Sequence, residues 1–168
     1  CSSSRIVASA AMKGPTMLRN RFGGHRSEGS GEKNVPWIHN VKNTDVVTAI
    51  DDEATLSLIR LFNEPAGRAY LIKQGVPESL VAQLDLIGIS GVANILSAIK
   101  VARWFELGHE DVIVTVLTDS MELYQSRLRE LHEEHGEYTL TDAAADYARY
   151  ILGQSTDNML ELTYPERK

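Results

Sequence analysis

The residue types that do chemistry are concentrated in a few short stretches of this chain. His132-Glu133-Glu134-His135 sets two imidazoles three residues apart, a spacing that one helix face can offer to a metal ion. The flanking charge and the glycine that follows fit a solvated helix end better, and no metal site is assigned there. Trp37-Ile38-His39-Asn40 offers an aromatic ring and an imidazole, either to a pocket or as a packed loop anchor. Gly29-Ser30-Gly31 lacks the third glycine and the leading strand of a dinucleotide fingerprint. The sequence has no Gly-x-Ser-x-Gly elbow, no Walker loop and no paired cysteine motif. What remains is Ser90, a hydroxyl inside Gly88-Ile89-Ser90-Gly91, where a strand is predicted to hand over to a helix.

The elements that must position these residues read as alternating strands and helices. Arg5–Ala11 predicts a short buried strand, followed by a loop over 14–44 rich in Gly, Asn and His. Irregular stretches of that length inside a compact domain commonly line a site. Asp45–Ile50 predicts a second strand, and Asp51-Asp52-Glu53 supplies an N-cap and an acidic first turn for a helix using Leu56, Ile59 and Phe62. Residues 63–84 read as a helical insertion, with Gly75 ending one piece and Pro77 starting the next. Leu86–Ile89 predicts a third strand, and Ser90-Gly91 a helix running to Leu107 and stopped by Gly108. Lys100 is then expected to send its amine from that apolar helix to water.

Asp111–Leu117 is the most apolar run in the chain, as expected of a central parallel strand. Asp119 and Glu122 have capping-box spacing, ahead of a stripe of Met121, Tyr124, Leu128 and Leu131. A last helix is predicted from Thr141, as N-cap, to Leu152, within a carboxy-terminal extension over 139–168. Together these predict a single α/β domain over 1–168: an open, mostly parallel sheet with helices on both faces. Ligands of such sheets sit at the carboxyl ends of the strands, which singles out the turns at Ser90 and at Thr118-Asp119-Ser120.

Bulk properties narrow the class. With 43% hydrophobic and 24% charged residues the composition is that of a globular domain, and a net charge of -6 with scattered basic residues argues against nucleic acid or an anionic membrane as partner. No run is long and apolar enough for a membrane helix, and the single Cys1 forms no internal disulfide. A cytoplasmic fragment is the expectation.

Four stretches, in order, resemble the cysteine synthase and cystathionine β-synthase family of pyridoxal-phosphate enzymes (fold type II). Arg5-Ile6-Val7-Ala8 is similar to the family strand Lys-Ile-Val-Ala. His25-Arg26-Ser27-Glu28-Gly29-Ser30-Gly31 with Val35-Pro36 resembles His-Lys-x-Gln-Gly-x-Gly followed by Ile-Pro. Gly88-Ile89-Ser90-Gly91-Val92-Ala93-Asn94, a helix, then Asp111–Val116 resembles the carboxy-terminal βαβ unit, and Asp119-Ser120 through Tyr124 resembles the segment after it.

The resemblance implies that Ser90 hydrogen-bonds the pyridine nitrogen of pyridoxal 5'-phosphate, with Gly88 beside it, and that Gly29, Ser30 and Gly31 line the substrate side. A hydroxyl serves a neutral ring nitrogen, whereas a carboxylate would stabilise the pyridinium; this suits β-elimination and β-replacement on an amino acid. Two departures, Glu28 for Gln and Ser30 for an apolar residue, leave the substrate open. The family's Schiff-base lysine lies in a Ser-x-Lys-x-Arg context, ahead of a glycine-rich phosphate loop, and none of the six lysines here has that setting. The expectation is therefore the carboxy-terminal part of such an enzyme, inactive alone, homodimeric, and completed by an amino-terminal half. No catalytic residue is assigned within this chain. The alternative is a non-catalytic α/β module kept for subunit contact or ligand sensing.

Overall fold

The structure, a computed structural model, describes residues 7–12 and 41–165, with side chains from residue 42 onward. Its centre is the strand Val46–Asp51 (β2), a run of small and β-branched residues in which Val46, Thr48, Ala49 and Ile50 are all buried. A strand so buried needs neighbours on both sides. Val7–Met12 (β1) pairs with it in parallel, from Val7 opposite Val46 to Met12 opposite Asp51. Met159–Glu161 (β3) pairs antiparallel, from Glu161 opposite Val46 to Met159 opposite Thr48, giving the sheet order β1-β2-β3.

Asp51 ends β2 and starts the helix Asp52–Asn63 (α1): its carboxylate accepts the Glu53 amide at 3.0 Å, satisfying one of the free N–H groups of the first turn. Leu58, Ile59 and Leu61 on α1 are fully buried, each contributing about 1.5–3 kcal/mol of burial. Glu64 and Pro65 then turn the chain into Pro65–Lys73 (α2). Gly67 sits so close to the end of α1 that a Cβ there would lie 2.2 Å from the Leu61 carbonyl oxygen. Gly75, at φ 93°, leads on to the short helix Glu78–Val81 (α3), so residues 63–84 are largely helical.

The longest helix, Ile89–Trp104 (α4), packs against α1, β1 and β2 and buries Ile89, Val92, Ala93, Leu96 and Val101. Gln125–His135 (α5) and Leu140–Asp146 (α6) follow, and α6 continues as a π-helical stretch to Leu152. Arg60 of α1 locks onto the turn between them. Its guanidinium donates to the Gly136 carbonyl at 2.6 Å, pairs with Glu64 at 3.4 Å and lies 4.9 Å from the centre of the Tyr138 ring.

The fold is thus mixed α/β, with helix predominating, and several expected elements differ. The strand expected over Leu86–Ile89 is absent: Leu84–Leu86 makes a 3-10 turn and Ile89 already opens α4, because the Gly88 amide is spent on the Asp119 carbonyl rather than on a ladder. Asp111–Leu117 joins no strand among the described residues, so the described sheet has one parallel and one antiparallel pair in place of a mostly parallel array. Gly108 does not stop the helix. Phe105 caps α4, and the left-handed turn after it falls on Glu106 at φ 51°.

Asp119 forms no capping box with Glu122; its carboxylate accepts the Tyr124 and Thr118 hydroxyls instead. The last helix is capped by Thr139, not Thr141: the Thr139 hydroxyl takes the Asp142 amide, and the Asp142 carboxylate returns to the Thr139 amide at 2.8 Å. The polar tail expected beyond Ser155 holds β3.

Candidate functional site

Two places combine polar groups with glycine or a cleft. The first is the start of α4. Gly88 is its N-cap residue and no side chain caps this end, so Ser90, in the first turn, is not engaged in closing the helix. Ser90 is 8% exposed. Gly88 is a glycine out of necessity: a Cβ there would stand 2.3 Å from the Asp119 carboxylate, which the Tyr124 and Thr118 hydroxyls hold in place. Gly91 is nearly as tight, at 3.0 Å from Ile87 and 3.2 Å from Leu117. The two turns that sequence reasoning marked, at Ser90 and at Asp119, are therefore one place, joined by the Gly88 amide donating to the Asp119 carbonyl at 2.9 Å. The Asp119 carboxylate at this helix start opposes the partial positive charge of the helix dipole, and the Gly88 amide is already spent on the Asp119 carbonyl.

The second place is a cleft of about 350 Å³ at the carboxyl end of β2, walled by Ala49, Asp51, Lys100, Arg149, Tyr150 and Asp157 among others. Lys100 does not reach water. It is 4% exposed, and its ammonium donates to the Ala49 carbonyl at 2.8 Å and to the Asp157 carbonyl at 2.6 Å. Burial lowers its pKa, with the charges of Asp157 and Asp51 pulling the other way. Next to it, Arg103 donates to the carbonyls of Leu152 and Gln154. The amine thus serves as a clip between α4, β2 and the tail. A lysine between Ile99 and Val101 in an apolar helix was the available signal, but its acceptors lie 51 and 57 residues away in sequence.

Other groups with strong electrostatics are structural. Burial raises the Tyr138 hydroxyl above its ordinary range and raises the Asp146 carboxyl, and the two share a 2.8 Å hydrogen bond. Asp142 is lowered by the Thr139 amide and hydroxyl that it accepts. His132 and His135 lie in the last turn of α5, and among the described residues no cluster of three or more His, Cys, Asp or Glu is arranged for a metal.

Ser90 and Gly88 lie together, and Ser90 walls neither the cleft above nor the shallower one between α1 and α5. Gly29, Ser30 and Gly31, the stretch Trp37–Asn40 and nearly all of the 14–44 loop lie outside the described residues. No helix among the described residues is long and apolar enough to cross a membrane. The chain matches no protein-family model, no curated protein and no solved structure.

Proposed function

We propose that this chain is the carboxy-terminal part of a pyridoxal-phosphate-dependent enzyme that carries out β-replacement or β-elimination on an amino acid. The observation that carries the reading is the start of α4, where Gly88 rather than a side chain occupies the capping position and leaves the Ser90 hydroxyl uncommitted to that role, amid glycine backbone. The four ordered stretches that resemble the cysteine synthase family support it.

The described residues fit such a cofactor at one point, the Ser90 hydroxyl, which is 8% exposed and walls neither cleft. Ser90 would suit the ring nitrogen, whereas the space beside Gly88 and Gly91 is already taken by Asp119 and by Ile87 and Leu117, so neither glycine offers room for a flat ring. The reactive lysine and the phosphate cradle belong to an amino-terminal half supplied as partner. Pyridoxal 5'-phosphate, when bound, supplies an electron sink for the pair left on Cα as a proton departs. Ser90 would be the residue that holds the ring nitrogen, and a hydroxyl there, in place of a carboxylate, would keep that sink shallow, as loss of a group from Cβ requires. By the same resemblance, Gly29, Ser30 and Gly31 would be the residues on the substrate side. In the completed enzyme the sheet is open and mostly parallel with helices on both faces, the assembly is a homodimer, and the setting is the cytoplasm.

The test is to combine this chain with an amino-terminal half bearing Ser-x-Lys-x-Arg, add pyridoxal 5'-phosphate and record the absorption spectrum. The expected result is a band near the visible edge that shifts in Ser90→Ala. Absence of a band overturns the reading and favours the non-catalytic module.

A further inference from the structure

The cleft at the carboxyl end of β2 holds more than a clip between α4, β2 and the tail requires. Lys100 carries three N–H groups as an ammonium, and the carbonyls of Ala49 and Asp157 accept two of them. The third has no acceptor among the described residues, although Lys100 is buried and walls a cavity of about 350 Å³. A buried charged donor left unsatisfied is costly, and a ligand oxygen removes that cost.

The walls are fixed before any ligand arrives. The Ala49 amide donates to the Asn158 carbonyl at 3.0 Å, Arg103 holds the carbonyls of Leu152 and Gln154, and Lys100 ties β2 to residue 157. Two irregularities of the backbone fall on the same rim. Asn158 takes a left-handed conformation at φ 59°, and the π-helical stretch Tyr147–Leu152 supplies Arg149 and Tyr150. Short π-helical turns are rare and occur often at functional sites.

Charge decides what such a cavity accepts. Lys100 at the buried floor and Arg149 at the rim, 5.0 Å from the centre of the Tyr150 ring, are cationic; Asp51 and Asp157, both exposed, are anionic. Asp51 gives one carboxylate oxygen to the Glu53 amide, and the carboxylate of Asp157 accepts no hydrogen bond among the described residues. A simple anion drawn to Lys100 is repelled by the two carboxylates, and a simple cation by the two bases. A molecule with both signs satisfies both, and the volume, at the low end for ligand cavities, limits it to a small metabolite.

We propose that this cleft binds a small zwitterion of the amino-acid type, its carboxylate on the third N–H of Lys100 beside Arg149 and its ammonium between Asp51 and Asp157. The cleft is separate from the start of α4, since Ser90 does not wall it. Occupancy joins β2, α4 and the tail through one more bridge and stabilises the folded chain by mass action. The inference is independent of the proposed cofactor chemistry, since it needs no cofactor and no amino-terminal half.

Isothermal titration calorimetry of the whole chain with L-alanine, and separately with acetate and with ethylammonium, tests it. The expected result is one L-alanine per chain, with acetate and ethylammonium each at least about tenfold weaker. Asp157→Asn keeps the backbone carbonyl that holds Lys100 and removes one carboxylate; it should weaken L-alanine by about tenfold and leave acetate no weaker. Ser155→Trp, at an exposed position on the wall, should abolish binding by filling the cavity, with circular dichroism unchanged. Lys100→Met should abolish it too, and Ser155→Trp keeps the test decisive where that variant fails to fold. No heat with L-alanine overturns the proposal, as does acetate or ethylammonium binding as tightly as L-alanine. So does L-alanine binding that is indifferent to either Asp157→Asn or Ser155→Trp.

Discussion

β2 and the run Asp111–Leu117 are similar in length and apolar content, yet the first is almost wholly buried and the second almost wholly exposed. The difference lies in what surrounds them. β2 has a strand on each side, and α1 and α4 pack against it; the run touches α4 at a few points and has no ladder among the described residues. Apolarity makes burial favourable, but only backbone partners make it possible, since buried amides and carbonyls must still be satisfied.

That contrast is sharpest where a side chain is removed. Leu58→Ala on α1, beneath the sheet, should lower unfolding free energy by about 2–5 kcal/mol in urea, whereas Val114→Ala, at monomer concentrations, should stay within about 0.5 kcal/mol. Equal losses at the two positions break the comparison. Arg60→Met comes next, at about 2 kcal/mol, because the Gly136 carbonyl loses a charged donor and Tyr138 its cation; chemical denaturation measures it.

Lys100→Met should cost about 1–2 kcal/mol near neutral pH, less than removal of a fully favourable ion, since the amine also loses its desolvation penalty. Its pH signature is specific. The folded pKa lies below the unfolded one, so the unfolded chain binds more protons between the two values, and the stability of the wild type rises with pH through that alkaline window. Lys100→Met should lack this rise, and an identical pH profile counts against the buried clip. The smallest effect is expected from Thr139→Ala, about 1 kcal/mol by thermal melting, from loss of one cap.

Local signals carried most of what could be read from the residues alone. Asp51 as a cap, the buried face of α1 and the glycine closing the last helix each depend on neighbours within a turn or two, and each lies where the sequence puts it. The errors arose where a distant residue competes for a backbone group. The Leu86–Ile89 strand fails because Asp119 takes the Gly88 amide, and the tail becomes β3 because β2 has a vacant side to fill. At the candidate site, Ser90 was legible as the opening of a helix but not as a residue relieved of capping by Gly88. Lys100 was legible only as an oddity in an apolar helix.

The carbonyls of Leu152, Gln154 and Asp157 receive the two cations of α4, Arg103 and Lys100. The carboxy-terminal stretch is thus the counter-pole of that helix and not an appendage. A protease that removed it would strand a buried ammonium with half its acceptors and bare one flank of β2 at the same stroke. Trimming at this end should therefore unsettle the sheet from within, even though every bond cut lies at the surface.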